Sequence, residues 1–177
     1  MVENSDMQIP STLATRYASA QMCGIWAPEA KIIRERQLWI AVLKAQRDLG
    51  LSVDDAAIKA YEKVVEKVDL RSIDEREKSL RHDVKARIEE FNALAGYQAI
   101  HAGMTSRDLT ESVEALQIRQ ALLLVRDKYV ALLAGFTRRA GEFIDRPIAG
   151  RSHNVPAQIT TVGKRFATFA EEGLFAF

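Results

Sequence analysis

The segment between Thr105 and Pro147 constrains the fold of this chain more than any other feature. Thr105 and Asp108 have the spacing of a helix capping box, and no proline follows them until Pro147. Apolar residues recur there at intervals of three and four, which predicts one helix from about Ser106 to about Phe143. At ~1.5 Å per residue this helix would exceed about 50 Å. Helices of that length are normally stable only beside similar helices in an extended bundle.

Shorter helices precede this segment in the sequence. Pro28 has a position typical of the first turn of a helix, which carries Trp39 on its apolar side and stops at Gly50. Ser52 and Ser72 are each followed by an acidic residue three positions later, which is the spacing of a capping box. We therefore predict that two further helices begin at these serines.

The predicted fold class is all-α, because strand-like alternation of apolar and polar residues is scarce. A fourth helix begins near His82 and ends at Gly96, and a last helix starts at Pro156. We predict an N-terminal helical domain over residues 1–105. Residues 106–177 would form the long helix and the start of the second helix of a central helical bundle. Because the last helix has no capping residue at its end, we expect this bundle domain to be incomplete, as in a truncated chain.

Composition and charge exclude several classes of protein. The 177 residues include 25 basic and 24 acidic side chains, so no net field holds a nucleic acid, and we expect a small anionic metabolite as partner. No stretch approaches the roughly 20 apolar residues that cross a bilayer, which excludes membrane insertion. Cys23 is the only cysteine, and we interpret it as a buried small apolar residue in a reduced protein. The first eight residues lack the apolar run of a signal peptide, so we expect a cytoplasmic protein.

All three histidines lie in short polar segments rich in Arg, Asp, Thr and Ser. Imidazoles beside such groups have the partners that tune a proton donor or bind an anion. In the first segment, Arg81, His82 and Asp83 open a helix, whose free N–H groups and positive dipole end favour a bound anion. The alternative is that Asp83 only caps the helix and that His82 is a surface residue.

The second segment, HAGMTS, runs from His101 to Ser106. Gly103 permits a close approach of the backbone, and Thr105 and Ser106 place two hydroxyls at the start of the long helix. Hydroxyls and N–H groups in that position can bind a carboxylate. A threonine cap without a ligand is the alternative.

The third segment places Ser152 and His153 in the loop before the predicted last helix. A histidine flanked by hydroxyl and amide donors can be held in one tautomer and act as a general acid or base. The alternative is a loop histidine that only bonds to backbone.

Arg16 and Tyr17 form a further candidate site, which would bind phosphate through a charge-assisted hydrogen bond. The sequence has no HExxH motif, no cysteine pair and no acidic calcium loop. We therefore expect no metal site.

Five segments, taken together and in order, resemble one known family. They are LATRYAS, IRERQLWIAVLKAQRDLG, LRHDVKARIEEFNALAG, HAGMTSRDLTE and GRSHNVPAQITTVGKRFA. The resemblance is to the adenylosuccinate lyases of the fumarase/aspartase superfamily. The TS-x-D segment is common to most of that superfamily, whereas RY near the N-terminus together with RHDV is typical of the adenylosuccinate branch.

The resemblance implies the helical fumarase/aspartase-like fold and a cofactor-free β-elimination of fumarate in purine nucleotide biosynthesis. The substrates would be adenylosuccinate, which gives AMP, and the succinylcarboxamide imidazole ribotide SAICAR, which gives AICAR. It implies that His153 is the general acid for the departing nitrogen and that His82 helps to position that acid. The resemblance also implies the substrate contacts. Arg16 and Tyr17 would contact the phosphate, Arg81, His82 and Asp83 the nucleotide, and Thr105 and Ser106 the carboxylates. His101 and Ser152 would be further contacts, and Ser152 stands where many relatives have Thr.

The resemblance also implies a homotetramer whose active sites are each assembled from three subunits. The proton-abstracting base would be a serine in a mobile loop of the form GSSxMPxKxN, and this motif is not present in the 177 residues. We therefore expect the chain alone to be inactive. Two alternatives remain: another fumarate-releasing lyase, such as one similar to argininosuccinate lyase, and a non-catalytic helical module that binds a partner through the long helix.

Overall fold

The computed structural model describes residues 11–177, which divide into two compact units between Gln120 and Ala121. These residues form eight helices and one two-stranded hairpin, so the predicted all-α fold class is confirmed. The first unit contains α1 (Thr12–Arg16), α2 (Ala20–Trp26), α3 (Pro28–Asp48), α4 (Asp55–Val64), α5 (Leu70–Leu80), α6 (Asp83–Ala95) and the start of α7 (Ser106–Glu142). The second contains the rest of α7, β1 (Pro147–Ser152), β2 (Val155–Thr161) and α8 (Val162–Ala176).

The long helix predicted from the sequence is α7, which has 37 residues and is about 55 Å long at ~1.5 Å per residue. It begins with the predicted capping box. The Thr105 N–H donates to Asp108 Oδ2 at 2.7 Å, and the Asp108 N–H donates to Thr105 Oγ1 at 3.4 Å. In the part of the chain that the structure describes, no helix is long and apolar enough to cross a membrane.

The core of the first unit lies between α3, α4, α6 and the start of α7. Trp39, Tyr61, Phe91 and Leu109 are at most 1% exposed and belong to one apolar cluster. The rings of Tyr61 and Phe91 have centroids 4.8 Å apart, and those of Trp39 and Phe91 are 6.3 Å apart. This cluster holds α6 and the start of α7 against α3. It therefore fixes where α6 begins relative to the turn before α7.

A buried ion pair between Arg36 and Glu90 joins four elements of the first unit. Arg36 Nη1 donates to the carbonyls of Val64 and Val65, at 3.1 and 3.0 Å, where α4 ends. Glu90 Oε1 accepts from the N–H of Asp69 at 3.2 Å, where α5 begins. Because each charge also has hydrogen-bond partners, the pair can be buried without leaving an isolated ion.

Two predicted helix starts are wrong by two or three residues. The cap of α4 is Asp54, not Ser52, and its carboxylate accepts from the Ala56 N–H at 2.8 Å. The cap of α5 is Asp69, which accepts from the N–H of Ser72 at 3.0 Å, so Ser72 lies in the first turn. An ionised carboxylate accepts a stronger bond from a backbone N–H than a hydroxyl does, which favours the aspartates.

The other predicted boundaries of the first unit are confirmed. Pro28 is the first residue of α3, and Gly50, with φ of 85°, follows its end. His82 caps the start of α6, and Gly96 caps its end with φ of 74°. The short helices α1 and α2 were not predicted. Cys23, on α2, is exposed, so its interpretation as a buried residue is wrong.

Residues 147–161 form a β-hairpin, so the prediction that a helix starts at Pro156 is wrong. Ile148 pairs with Thr160 and Ser152 pairs with Val155, with an irregularity near Gly150. A two-stranded hairpin can accommodate Pro156, because both of its strands are edge strands. A backbone N–H on the outer side of an edge strand has no partner strand, so its absence in proline costs no hydrogen bond. A Cβ on Gly150 would lie 2.9 Å from the Gln158 carbonyl oxygen, which explains a glycine at the irregularity.

The second unit is held together by contacts between α7 and α8. Phe166 on α8 lies between Phe136 on α7 and Phe143, the residue after the end of α7, with ring centroids 6.3 and 6.1 Å away. The Gly163 N–H donates to the Phe143 carbonyl at 2.9 Å. These contacts fix the start of α8, and therefore the base of the hairpin that precedes it.

Candidate functional site

The turn between α5 and α6 carries the first polar segment. Arg81 ends α5 in the left-handed conformation, with φ of 53°, and is exposed. The exposed side chain of His82 caps α6, because its Nδ1 accepts from the Lys85 N–H at 3.4 Å. The residue that caps α6 is therefore His82. The alternative interpretation of the sequence, in which Asp83 is the cap, is wrong. Since Nδ1 accepts, the neutral His82 ring carries its proton on Nε2.

Asp83, the first residue of α6, is held by a buried chain of charges. Arg87 Nη2 donates to Asp83 Oδ2 at 2.9 Å, and Arg87 Nε lies 2.6 Å from Oε2 of the fully buried Glu35. The contact with Glu35 is an ion pair, since the N–H is not aligned for a hydrogen bond. Burial on its own raises the pKa of Asp83, but the Val84 N–H and Arg87 outweigh it and lower the pKa. Asp83 is therefore a carboxylate with a fixed orientation.

Glu35 responds to the same surroundings in the opposite way. Burial raises the pKa of Glu35, and this effect outweighs the lowering by the charges of Arg87 and Lys31. Arg87 therefore faces one carboxylate that is hard to ionise and one, Asp83, that ionises easily. The guanidinium is held between the core and the candidate site.

His101 lies in the turn before α7 and contacts the core. Its Nδ1 accepts from Trp39 Nε1 at 3.0 Å, and its backbone is left-handed, with φ of 71°. Burial lowers the pKa of His101; the charge of Asp108 opposes this, and those of His82 and Lys85 add to it. The starts of α6 and α7 are therefore close enough for their charges to act on one imidazole.

Thr105 and Ser106 stand at the start of α7 as predicted, the first exposed and the second half-buried. The Thr105 hydroxyl oxygen accepts from the N–H of Asp108. This capping role, left open as an alternative, does not use the hydroxyl proton, which stays available to donate.

Arg16 and Tyr17 lie at the end of α1. Tyr17 is 74% exposed, and its backbone N–H donates to the Leu13 carbonyl at 3.1 Å. Within residues 11–177, no hydrogen bond or ion pair connects either side chain to α6 or to the turn before α7. The structure does not bring this pair into direct contact with the other candidates.

Ser152 and His153 lie at the tip of the hairpin in the second unit, not in a loop before a helix. Ser152 pairs with Val155, which leaves His153 and Asn154 as a two-residue turn with φ of 49° and 64°. Two positive φ angles are typical of the type I′ turns that match the twist of a hairpin. Arg151 Nη1 donates to the Asn154 carbonyl at 2.9 Å and fixes the turn. The His153 imidazole is therefore an exposed group on a turn that is held in place by a hydrogen bond.

Backbone strain concentrates at these candidates. Four non-glycine residues between positions 11 and 177 have positive φ, and three of them are Arg81, His101 and His153. The fourth, Asn154, is the neighbour of His153. Each such residue costs of order 1–3 kcal/mol, and strain of this kind clusters at active sites.

A family model described as a lyase matches residues 18–173 of the chain. The chain belongs to this lyase family. The match includes both units and every candidate except Arg16 and Tyr17. The family match therefore extends from α2 through the hairpin and into α8.

Relatives of this lyase include adenylosuccinate lyases from Saccharomyces cerevisiae and Methanothermobacter thermautotrophicus. They are 34% and 33% identical to it over 92% and 89% of the chain, which spans 35% and 36% of their own lengths. The fold is similar to that of a fumarate lyase from Mesorhizobium sp. BNC1, with 22% identity and a TM-score of 0.76 over 88% of this chain and 38% of the other. A β-carboxy-cis,cis-muconate cycloisomerase from Acinetobacter calcoaceticus has 19% identity and a TM-score of 0.80 over 92% and 40%.

Sequence reasoning missed the buried residues of this lyase that bind and orient the candidate side chains. Trp39 was identified only as an apolar residue, and Glu35 and Arg87 were not singled out. Trp39 and His101 are 62 positions apart, and Glu35 is also distant from Arg87, so no local pattern pointed to these two contacts. The spacing of four positions between Asp83 and Arg87 on one helix was the local signal that could have identified Arg87. Among residues 11–177, no group of three or more His, Cys, Asp or Glu side chains is arranged to hold a metal ion.

Proposed function

We propose that this lyase eliminates fumarate from adenylosuccinate, giving AMP, and from SAICAR, giving AICAR. The observation that carries the proposal is the strained backbone at Arg81, His101 and His153. These three residues lie in the segments by which the chain resembles adenylosuccinate lyases. Backbone strain at polar residues is known to cluster at active sites, which supports a reaction at these positions, although at His153 the hairpin turn also requires the positive φ.

The chemistry requires one proton to leave carbon and one to reach nitrogen. A base removes the proton beside a carboxylate of the succinyl group, the electron pair forms the double bond of fumarate, and the C–N bond breaks. His153, as a general acid, gives a proton to the departing nitrogen. Its exposed position at the hairpin tip supports this role, since the ring can approach a ligand without leaving its turn. The adjacent Ser152 hydroxyl would contact the substrate.

The remaining candidates would bind the substrate. Negative charge builds on the carboxylate during proton removal, so donors must already be in place to stabilise it. Thr105 and Ser106 would donate to the succinyl carboxylates, with the hydroxyl proton of Thr105 free to do so. His82 would help to position the acid. Arg16 and Tyr17 would bind the phosphate, Arg81 and Asp83 the nucleotide, and His101 a further group of the substrate.

Residues 1–177 contain no match to the serine loop GSSxMPxKxN that supplies the base in the family. We propose that these residues alone do not turn over adenylosuccinate, that the protein acts in the cytoplasm as a homotetramer, and that it needs no cofactor. Measurable turnover by the purified chain would contradict the first of these statements.

The test of the substrate uses a chimera in which residues 1–177 replace the aligned segment of the Saccharomyces cerevisiae adenylosuccinate lyase. We expect it to cleave adenylosuccinate, followed by absorbance, and not argininosuccinate. Arg16→Gln should raise KM for adenylosuccinate about tenfold or more, because a charge-assisted bond to phosphate is lost. Arg71→Gln is the control, since Arg71 is 89% exposed on α5. An unchanged KM in Arg16→Gln, or cleavage of argininosuccinate in preference, contradicts the proposal.

A further inference from the structure

One hydrogen bond connects the apolar core directly to the candidate site. Trp39 is 1% exposed and packs against Phe91, and its Nε1 donates to His101 Nδ1 at 3.0 Å. An indole N–H can donate but cannot accept. His101 Nδ1 must therefore be the nitrogen without a proton, and the neutral ring carries its proton on Nε2.

We propose that Trp39 is a positioning residue that holds His101 as the Nε2–H tautomer, so that His101 acts as a neutral hydrogen-bond donor to an anionic group of the substrate. The tautomer follows from the contact between the two rings. The role toward substrate rests on the proposed function. The proposal assigns His101 a chemistry different from that of His153, which would donate a proton outright.

The geometry of the contact restricts the orientation of the His101 ring. The two rings meet edge to face, with centroids 5.9 Å apart and an interplanar angle of 84°. The backbone of His101 is left-handed, and its carbonyl accepts from the Met104 N–H at 3.4 Å in a tight turn. A 180° rotation of the ring would leave the buried indole N–H without an acceptor, which is costly. Core packing around Trp39 thus determines which nitrogen faces outward.

Burial of His101 favours its neutral form. Burial lowers the pKa of His101, and the positive charge of Lys85 on α6 lowers it further, as does His82, the cap of α6, when its ring is protonated. Asp108 on α7 acts in the opposite direction. Within residues 11–177, Nε2 makes no hydrogen bond, and the ring is half-buried. The Nε2–H group is therefore available to a ligand, and it donates without carrying a net charge.

His82 shows why the indole contact matters. Its Nδ1 also accepts a hydrogen bond, but from a backbone N–H at 3.4 Å on a side chain that is 52% exposed. Water competes for that bond far more readily than for one from a buried indole. Tautomer control should therefore be tight at His101 and loose at His82.

The tautomer can be measured directly in the full chain by NMR. A protein with ¹⁵N-labelled histidine and tryptophan gives long-range ¹H–¹⁵N spectra in which protonated and unprotonated ring nitrogens are distinct. The chain has three histidines, and His82→Gln and His153→Gln variants assign the signals. We expect His101 to be an Nε2–H tautomer at neutral pH, with an N–N coupling to Trp39 Nε1 across the hydrogen bond. A proton on Nδ1, or two rapidly exchanging tautomers, would overturn the proposal.

Substitution of each tryptophan separates positioning from general stability. Trp39→Phe keeps an aromatic ring but removes the donor, so His101 should become a mixture of tautomers. The control is Trp26→Phe, at a tryptophan that is 48% exposed, and it should leave the His101 spectrum unchanged. A folded Trp39→Phe protein with an unchanged tautomer contradicts the proposal. If that variant does not fold, the coupling and tautomer in the unsubstituted protein decide.

The spectra also separate this proposal from the proposed function. A fixed Nε2–H tautomer in a protein whose chimera does not cleave adenylosuccinate overturns only the function. An active chimera with the wrong tautomer overturns only the role of Trp39. In an active chimera, Trp39→Phe should raise KM and leave kcat nearly unchanged, because a substrate contact is weakened and the acid is not.

Discussion

Arg81 occupies a left-handed backbone conformation, which at the end of a helix is usually adopted by glycine. It ends α5 with φ of 53°, whereas Gly96 ends α6 in the same way with φ of 74°. The side chain that costs stability at position 81 is the one proposed to contact the nucleotide. The strain and the proposed nucleotide contact therefore fall on the same residue.

Arg81→Gly should raise the free energy of unfolding by about 1 kcal/mol, because the left-handed conformation costs an L-residue roughly that amount. Gly96→Ala is the reciprocal control, and with no atom within 4 Å of its Cβ it should lower stability by a similar amount through φ alone. Urea unfolding of both variants gives the two values. A destabilised Arg81→Gly protein would show that the arginine side chain stabilises the turn instead.

Local and distant contacts differ in how well the sequence predicts them. The capping box of Thr105 and Asp108 was predicted correctly because its partners are three positions apart and their side chains reach only the backbone beside them. The contact of Trp39 with His101 could not be predicted, because it depends on how α3 packs against the turn before α7. Sequence reasoning found the exposed polar groups and missed the buried ones that hold them.

Among the elements, the hairpin departs most from expectation. Proline at position 156 and the apolar spacing beyond it are compatible with a helix, but Val155, Ile159 and Thr160 favour a strand. The helix instead starts at Val162, where the Thr161 side chain caps it by accepting from the Lys164 N–H at 3.1 Å. Whether His153 lies in a loop or at a rigid tip depends on this distinction.

The start of α8 should be the element boundary least tolerant of added volume. A Cβ on Gly163 would lie 2.5 Å from the Ala140 carbonyl oxygen and 2.7 Å from Ile144 Cα. Gly163→Ala should therefore destabilise the second unit by about 1–3 kcal/mol. Gly135→Ala is the matched control within α7, where nothing lies within 4 Å, and it should stabilise by about 0.5–1 kcal/mol. Thermal unfolding followed by circular dichroism distinguishes the two, and equal effects would refute the close approach of α8.

At the scale of the whole molecule, α7 carries apolar side chains that the described chain leaves about half exposed or more. Leu122, Val125 and Leu132 recur at helical spacing and are 63%, 49% and 48% exposed. Exposed apolar surface of this kind on a long helix favours association. It agrees with the homotetramer that we propose.

We predict that the sedimentation coefficient of the chain rises with its concentration. Replacing Leu122, Val125 and Leu132 by Gln should abolish the rise. Leu49→Gln is the control, because Leu49 is 82% exposed but lies outside α7. A monomer at every concentration would contradict the prediction.

The central claim is that His153 protonates the nitrogen that leaves as fumarate forms. Its most direct test is kcat for adenylosuccinate in the chimera, with Arg71→Gln as the control, because the Arg71 side chain is 89% exposed on α5. The account predicts that His153→Gln lowers kcat by about 10²-fold or more, whereas Arg71→Gln changes it little. A folded His153→Gln chimera that keeps kcat within about threefold of its parent would contradict the account, since an acid of this kind contributes ~10²- to 10⁴-fold.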